Sequence, residues 1–119
     1  MFFAGVVVMK RLEAIIRPEK VEACKNALAD AGFSGLTVTE VRGRGRQMGI
    51  VSSLPENSGQ DLVPKNKLEM VVEDKDVEKA VDIVLKNART GAIGDGKIFI
   101  SDINECIRIR TEERGKDAI

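Results

Sequence analysis

Apolar and polar residues alternate along four stretches of the chain, and apolar residues recur every three or four positions between them. The alternating stretches are residues 12–17, 36–41, 66–72 and 97–101. This period of two is typical of strands that bury one face. The helical stripes are Val21, Cys24, Leu28 and Ala31, followed by Val77, Val81, Val84 and Ala88. The pattern predicts the element order βαβ–βαβ.

Several residues predict where these elements begin and end. Pro18 suits the first turn of a helix, where its missing N–H costs nothing, and Gly32 is a good helix stop. Asp74 or Asp76 can cap the second helix. Residues 105–110 predict a short fifth strand with Arg108 and Arg110 on one face, because strand side chains have period two. We expect the polar residues 112–119 to form a flexible tail.

Two βαβ units of this kind form an antiparallel sheet with both helices on one face, the ferredoxin-like α+β arrangement. The length of 119 residues predicts a single domain over residues 1–119. The apolar residues 1–8 are too few to span a membrane, and we expect them to be an extension outside the fold. Four apolar residues, Ile15, Val41, Met70 and Ile98, are expected on the open face of the sheet. Such a face predicts oligomerisation.

The composition narrows the function. A hydrophobic content of 43%, a charged content of 32% and a formal net charge of +0 are ordinary for a soluble, cytoplasmic protein and count against nucleic-acid binding. The chain has no His, which removes His-based catalysis and His metal sites. Cys24 and Cys106 are expected to be buried thiols in a reducing cytoplasm. No nucleophile has an obvious activating base, so we predict a binding protein with no catalytic residue.

A long connection between the second and third strands is the most unusual part of the chain. It begins with alternating Gly and Arg, and connections of this length are generally functional or disordered. A second glycine turn covers residues 90–97. The cationic clusters are Arg42, Arg44 and Arg46, then Lys65 and Lys67, then Lys97, and last Arg108 and Arg110. Glycine turns beside Arg and Lys favour an anion such as phosphate. The amide oxygen of Gln47 could bind Mg²⁺ together with phosphate oxygens.

Four stretches carry a family resemblance: TVTEVRGRGRQ at 37–47, LVPK at 62–65, TGAIGDGKIF at 90–99 and IRIRT at 107–111. On these motifs, residues 9–111 resemble the PII nitrogen-regulatory proteins, which are trimeric sensors of ATP, ADP and 2-oxoglutarate. The resemblance implies the double βαβ fold, a homotrimer, with or without a paralogous subunit mixed in, and a mobile T-loop over residues 43–64.

The resemblance also implies the ligand sites, with ATP or ADP in a cleft between neighbouring subunits. The residues assigned to the nucleotide are Ile15, Thr37, Gly45, Arg46, Gln47, Glu69, Val71, Gly94, Asp95, Gly96, Lys97, Arg108 and Arg110. The last two would come from the neighbouring subunit. The residues assigned to 2-oxoglutarate are Gln47, Met48, Gly49 and Lys65. Gln47 would bind the Mg²⁺ that bridges ATP and 2-oxoglutarate, and Lys65 would pair with the distal carboxylate.

The partners implied by the resemblance are target proteins of nitrogen metabolism that bind the T-loop: nitrogenase, an ammonium channel or glutamine synthetase. Membrane contact is expected only through a channel. The chain has no Tyr, which excludes the nucleotidylation of a T-loop tyrosine known in many members. No Arg or Lys lies between Met48 and Pro64, which weakens the case for a channel. Gly-Arg-Gly-Arg with a shortened loop that lacks Tyr resembles the nitrogenase-associated branch of archaea and anaerobes.

Three other functions compete with this interpretation. A small ferredoxin-like acyl-phosphate hydrolase would use Arg46, but it would leave the long loop and the second glycine turn unexplained. A trimer of the metal-tolerance type shares the architecture, although a chain without His is poorly suited to metal. An adenylate-only PII-like sensor would bind ATP without responding to 2-oxoglutarate.

Overall fold

The structure is a computed structural model that describes residues 8–44 and 62–119. Within these ranges the elements are β1 Met9–Ile16, α1 Val21–Asp30, β2 Thr37–Gly43, β3 Val63–Glu73, α2 Val77–Ala88 and β4 Lys97–Ile103. The sheet has the order β2-β3-β1-β4, and every neighbouring pair is antiparallel. The predicted ferredoxin-like α+β fold is confirmed. None of the helices in these ranges is long and apolar enough to cross a membrane.

The core lies between one face of the sheet and the two helices. Leu12, Ala14 and Ile16 of β1 are at most 2% exposed. They pack with a larger buried set from β3 and the helices: Leu68, Met70, Val72, Cys24, Leu28, Val77, Ala80, Val84 and Ala88. Both predicted helical stripes therefore face the core, because their spacing of three and four keeps one side of each helix against the sheet.

Two of the four apolar residues expected on the open face of the sheet lie on its helix face instead. Met70 pairs with Leu12, and Ile98 pairs with Ala14, so both side chains lie on the helix face. Their assignment to the open face was wrong. The alternation of residues does not reveal the strand register, and the register decides which side chains face the helices. Ile15 and Val41 do lie on the open face, since their partners in the sheet are lysines.

Both helices begin with a short 3-10 turn that the sequence did not predict. Pro18–Lys20 precedes α1, and Asp74–Asp76 precedes α2. Asp76 occupies the N-cap position of α2, but its side chain makes no capping hydrogen bond. Gly32, with a φ of 97°, follows the last residues of α1 as predicted for a helix stop.

The predicted fifth strand is wrong. Residues 105–110 hold one isolated bridge, from Ile107 to Arg114, and the chain turns at 109–111. The turn is closed because the N–H of Glu112 donates to the carbonyl of Arg108 over 2.8 Å. Arg108 and Arg110 therefore do not share a strand face. A 3-10 turn at Gly115–Ala118 lies within the segment expected to be a flexible tail.

Candidate functional site

A cavity of about 410 Å³ opens on the exposed face of the sheet, where β1 ends and β4 begins. β1, β2, β3 and the loop before β4 all contribute to its wall. Its cationic side chains are Arg42, Arg44, Lys65, Lys67 and Lys97. One carboxylate, that of Glu13, also lines it and lies 3.3 Å from the Lys67 ammonium. The excess of positive charge makes this cavity suitable for an anion.

The loop before β4 is organised around the carboxylate of Asp95. Asp95 accepts hydrogen bonds from the hydroxyl and the N–H of Thr90, and from the N–H of Gly91 over 2.8 Å. The Arg17 guanidinium adds an ion pair of 3.0 Å. These interactions, the Thr90 hydroxyl foremost, hold the pKa of Asp95 well below its usual range. The carboxylate therefore stays ionised, and the Arg17 guanidinium balances its charge.

Two glycines allow this loop to pass close to β1. Gly94 and Gly96 have φ values of 102° and 100°, a region that other residues rarely adopt. A Cβ on Gly96 would stand 1.7 Å from the carbonyl oxygen of Ile15. The close approach places Lys97, the next residue, at the edge of the cavity.

Lys65 connects β3 to the same loop. Its ammonium donates a hydrogen bond to the carbonyl of Gly94 and lies close to the Arg17 guanidinium. Partial burial, followed by repulsion from Arg17, lowers the pKa of Lys65. Two cations that share a partly desolvated position would be stabilised by an anion placed beside them.

The structure brings together five residues of the predicted ligand sites. Ile15, Lys65, Gly94, Gly96 and Lys97 all line the cavity. Asp95 does not line it and instead faces the interior of its own loop. The predicted residues Gly45, Arg46, Gln47, Met48 and Gly49 lie outside the described residues.

Other predicted residues lie elsewhere on the sheet. Thr37 pairs with Glu69, and Val71 pairs with Arg11, further along β3 from the cavity. Arg108 and Arg110 follow the end of β4 at Ile103, which pairs with Met9 at the opposite end of the sheet. A strand of β1's eight residues spans about 26 Å, so the end of β4 that leads to the two arginines lies far from the loop at its beginning.

Arg17 is the residue that the sequence analysis missed. It directly follows β1, and its side chain contacts both Asp95 and the carbonyl of Ile93. A signal was present in the sequence: a charged residue at the end of a central strand, just before a proline. Its contacts involve residues 76 and 78 positions away, which periodicity does not reveal.

The comparisons with known proteins agree with this arrangement. Residues 9–113 match the family model for nitrogen regulatory protein P-II. Nitrogen regulatory protein P-II 2 of Methanothermobacter thermautotrophicus is 56% identical over 115 residues, covering 96% of this chain and 100% of the relative. Nitrogen regulatory protein P-II 1 of the same organism is 50% identical, covering 93% of this chain and 97% of the relative.

The solved structures agree as well. The crystal structure of Arabidopsis thaliana PII bound to citrate superposes with a TM-score of 0.79 at 38% identity, covering 94% of this chain and 92% of that one. The family-model match begins at Met9, the first residue of β1. The chain therefore belongs to the nitrogen regulatory protein P-II family.

Proposed function

We propose that this chain is a sensor that binds ATP or ADP, and 2-oxoglutarate together with Mg²⁺ and ATP, and that its T-loop regulates proteins of nitrogen metabolism. The observation that carries the proposal is the cationic cavity at the glycine loop, where Lys65, Lys97 and two positive-φ glycines converge. Family membership supports nitrogen regulation as the biological role.

The cavity has the chemistry of a phosphate site. Glycines allow backbone N–H groups to approach an anion, and Lys97 adds a flexible cationic donor. Because Arg17 balances the charge of the Asp95 carboxylate and the N–H of Thr90 donates to it, its repulsion of a phosphate placed at the loop is reduced. We propose that the described part of the cavity holds a nucleotide's phosphates and that Gly45, Arg46 and Gln47 complete the site.

The position of Arg108 and Arg110 supports a site shared between subunits. Within one chain these arginines follow the end of β4 that is remote from Lys97. We propose that another copy supplies them to the phosphate site. We therefore propose a cyclic trimer in which each nucleotide site uses Lys97 of one chain and both arginines of the next.

Lys65 is the proposed partner for the distal carboxylate of 2-oxoglutarate. Its ammonium is partly desolvated and lies beside Arg17, so a carboxylate would relieve the unfavourable proximity of two cations. The Arabidopsis relative was crystallised with citrate, another small polycarboxylate. Mg²⁺ is assigned to the amide oxygen of Gln47 and to phosphate oxygens, as the resemblance implies.

Regulation follows from ligands that bind one T-loop conformer better than another. ATP, Mg²⁺ and 2-oxoglutarate would all contact the base of the loop, whereas ADP would omit some of these contacts. Such a ligand shifts the population toward the conformer that it prefers. A coupling free energy of about 1–3 kcal/mol per site is usual for such regulation. The target protein is then bound or released according to which ligands occupy the sites.

Calorimetric titration of 2-oxoglutarate with Mg²⁺ tests this proposal, first with ATP present and then with ADP. We expect binding only in the presence of ATP. ATP binding with no 2-oxoglutarate response would instead establish the adenylate-only sensor. Absence of ATP binding, with rapid hydrolysis of an acyl phosphate, would replace the sensor with the hydrolase.

A further inference from the structure

We infer that Arg17 is a positioning residue for the phosphate-binding loop, acting through Asp95 and the Ile93 carbonyl rather than by contacting the nucleotide. This inference rests on the proposed nucleotide site. It adds a residue that the motifs of the sequence did not point to.

The guanidinium of Arg17 holds the loop at two points. Its Nε donates to Asp95 Oδ1 over 3.0 Å, and its Nη2 donates to the Ile93 carbonyl over 2.7 Å. The same Nη2 lies 3.3 Å from the position of a Cβ on Gly94, so the guanidinium packs directly against that glycine. The planar fork of arginine satisfies two acceptors at once in a fixed geometry, which a lysine cannot do.

Arg17 is itself held in place by the fold. It is the first residue after the central strand β1, and Pro18 restricts its backbone, which has φ −64° and ψ 141°. The Arg17 and Asp95 side chains are 23% and 24% exposed, so their ion pair is partly shielded from solvent. The end of β1 thus fixes the place of Arg17, and Arg17 fixes the place of Asp95.

Asp95 extends this connection through the rest of the loop. Its second oxygen accepts the N–H groups of Thr90 and Gly91 over 2.9 Å and 2.8 Å. One side chain therefore joins the start of the loop, at Thr90 and Gly91, to its end at Asp95. Loss of Arg17 removes the contacts that join Asp95 and the Ile93 carbonyl to the end of β1, and the loop then keeps its hydrogen bond to Lys65 of β3.

A first experiment needs no ligand. Amide hydrogen exchange at Thr90 and Gly91 reports the hydrogen bonds that Asp95 accepts. Arg17→Gln is expected to speed exchange at both amides about tenfold, the scale of one lost charge-assisted hydrogen bond. Arg17→Lys keeps the charge but not the fork, and it should give an intermediate rate. Lys25→Gln, a charge loss on the exposed surface of α1, is the matched control. Unchanged exchange in Arg17→Gln would overturn the inference.

A second experiment separates positioning from simple attraction between charges. Arg17→Gln should weaken ATP binding about tenfold while leaving adenosine binding unchanged, since adenosine carries no phosphate. Asp95→Asn is the decisive variant. Removal of a negative charge would strengthen ATP binding if long-range electrostatics dominated, whereas loss of positioning weakens it.

The outcomes distinguish this inference from the proposed function. Wild-type protein that fails to bind ATP overturns the nucleotide site, and the inference about phosphate binding with it. Wild-type protein that binds ATP, with Arg17→Gln binding equally well, overturns the inference alone. Tighter ATP binding by Asp95→Asn would also overturn it, in favour of electrostatic attraction.

Discussion

Gly96 shows at the scale of one residue why the loop before β4 needs glycine. Gly91 and Gly96 both have positive φ, so either one is strained by a side chain. Only at Gly96 does the backbone of another strand occupy the place of the missing Cβ, the carbonyl of Ile15 lying 1.7 Å from it. At Gly91 nothing lies within 4 Å of that place. Substitutions at the two positions therefore distinguish the effect of a steric clash from the effect of backbone strain.

We predict that Gly96→Ala lowers the free energy of unfolding by more than about 3 kcal/mol, because the new methyl group forces β4 away from β1. Gly91→Ala is the matched control and should cost only about 1–2 kcal/mol, the strain of its backbone conformation. Urea denaturation at equal protein concentration measures both values. Equal losses in the two variants would contradict the clash with Ile15.

Lys97 carries the most direct prediction about the ligand. Lys97→Ala should weaken ATP binding by about 1.5–3 kcal/mol, the value of a charge-assisted hydrogen bond to phosphate. Lys86→Ala removes an equal charge from α2, where Lys86 pairs with Asp82 over 2.9 Å, and should leave the affinity unchanged. Calorimetric titration of both variants with ATP compares them. Wild-type affinity in Lys97→Ala would refute its phosphate role.

At the scale of elements, the loop from Thr90 to Gly96 behaves as a unit held by one carboxylate. Asp95 has a lower pKa in the folded chain than its ordinary value of 3.8. A group whose pKa is depressed by folding stabilises the protein fully above its unfolded pKa, and this contribution is lost as the pH falls. The stability that the loop gains from Asp95 should therefore fall at acid pH.

We predict that the stability advantage of the wild type over Asp95→Asn is constant from about pH 7 to pH 5 and shrinks below about pH 4. The Asn variant keeps the shape of the side chain but cannot lose a charge. Urea unfolding of both proteins across this range measures the difference, and all other carboxylates cancel because they are common to both. Parallel stability curves down to pH 3 would contradict the role of the Asp95 carboxylate.

Most of the strands and helices could be predicted from the sequence, because they follow local periodicity. The stripe of Val77, Val84 and Ala88 identified α2 and its buried face. The errors arose where long-range contacts decide the outcome. Met70 was placed on the wrong face because register depends on the partner strand, and the bridge from Ile107 to Arg114 replaced a predicted strand. Arg17 was missed because its partners are distant in sequence.

At the scale of the whole molecule, the two halves of the proposed nucleotide site follow from opposite ends of β4 in each chain. Lys97 begins β4, whereas Arg108 follows its end. In a cyclic trimer the beginning of β4 in one chain would then face the end of β4 in the next. This arrangement makes the sharing of a site between chains directly testable.

Mixing two variants tests the proposed trimer. Lys97→Ala and Arg108→Ala proteins should each bind ATP weakly. Subunit exchange between them creates mixed trimers, each with one site formed by an intact Lys97 and an intact Arg108 from different chains. With random mixing, about one quarter of all sites should regain wild-type affinity. Calorimetry before and after exchange measures this fraction. No recovery in verified mixed trimers would place Arg108 outside the shared site.

The separation of Lys97 from Arg108 has a consequence for inheritance. In the proposed trimer, a chain that lacks both residues would spoil the site that it forms with each of its two neighbours. A trimer with one such chain keeps one intact site of three, and a trimer with two such chains keeps none. A cell that makes such a chain alongside a normal copy would lose more sensing capacity than the share of defective protein suggests. Mutations that remove both residues should therefore behave as dominant alleles, whereas substitutions confined to buried core positions, which prevent a chain from assembling, should be recessive.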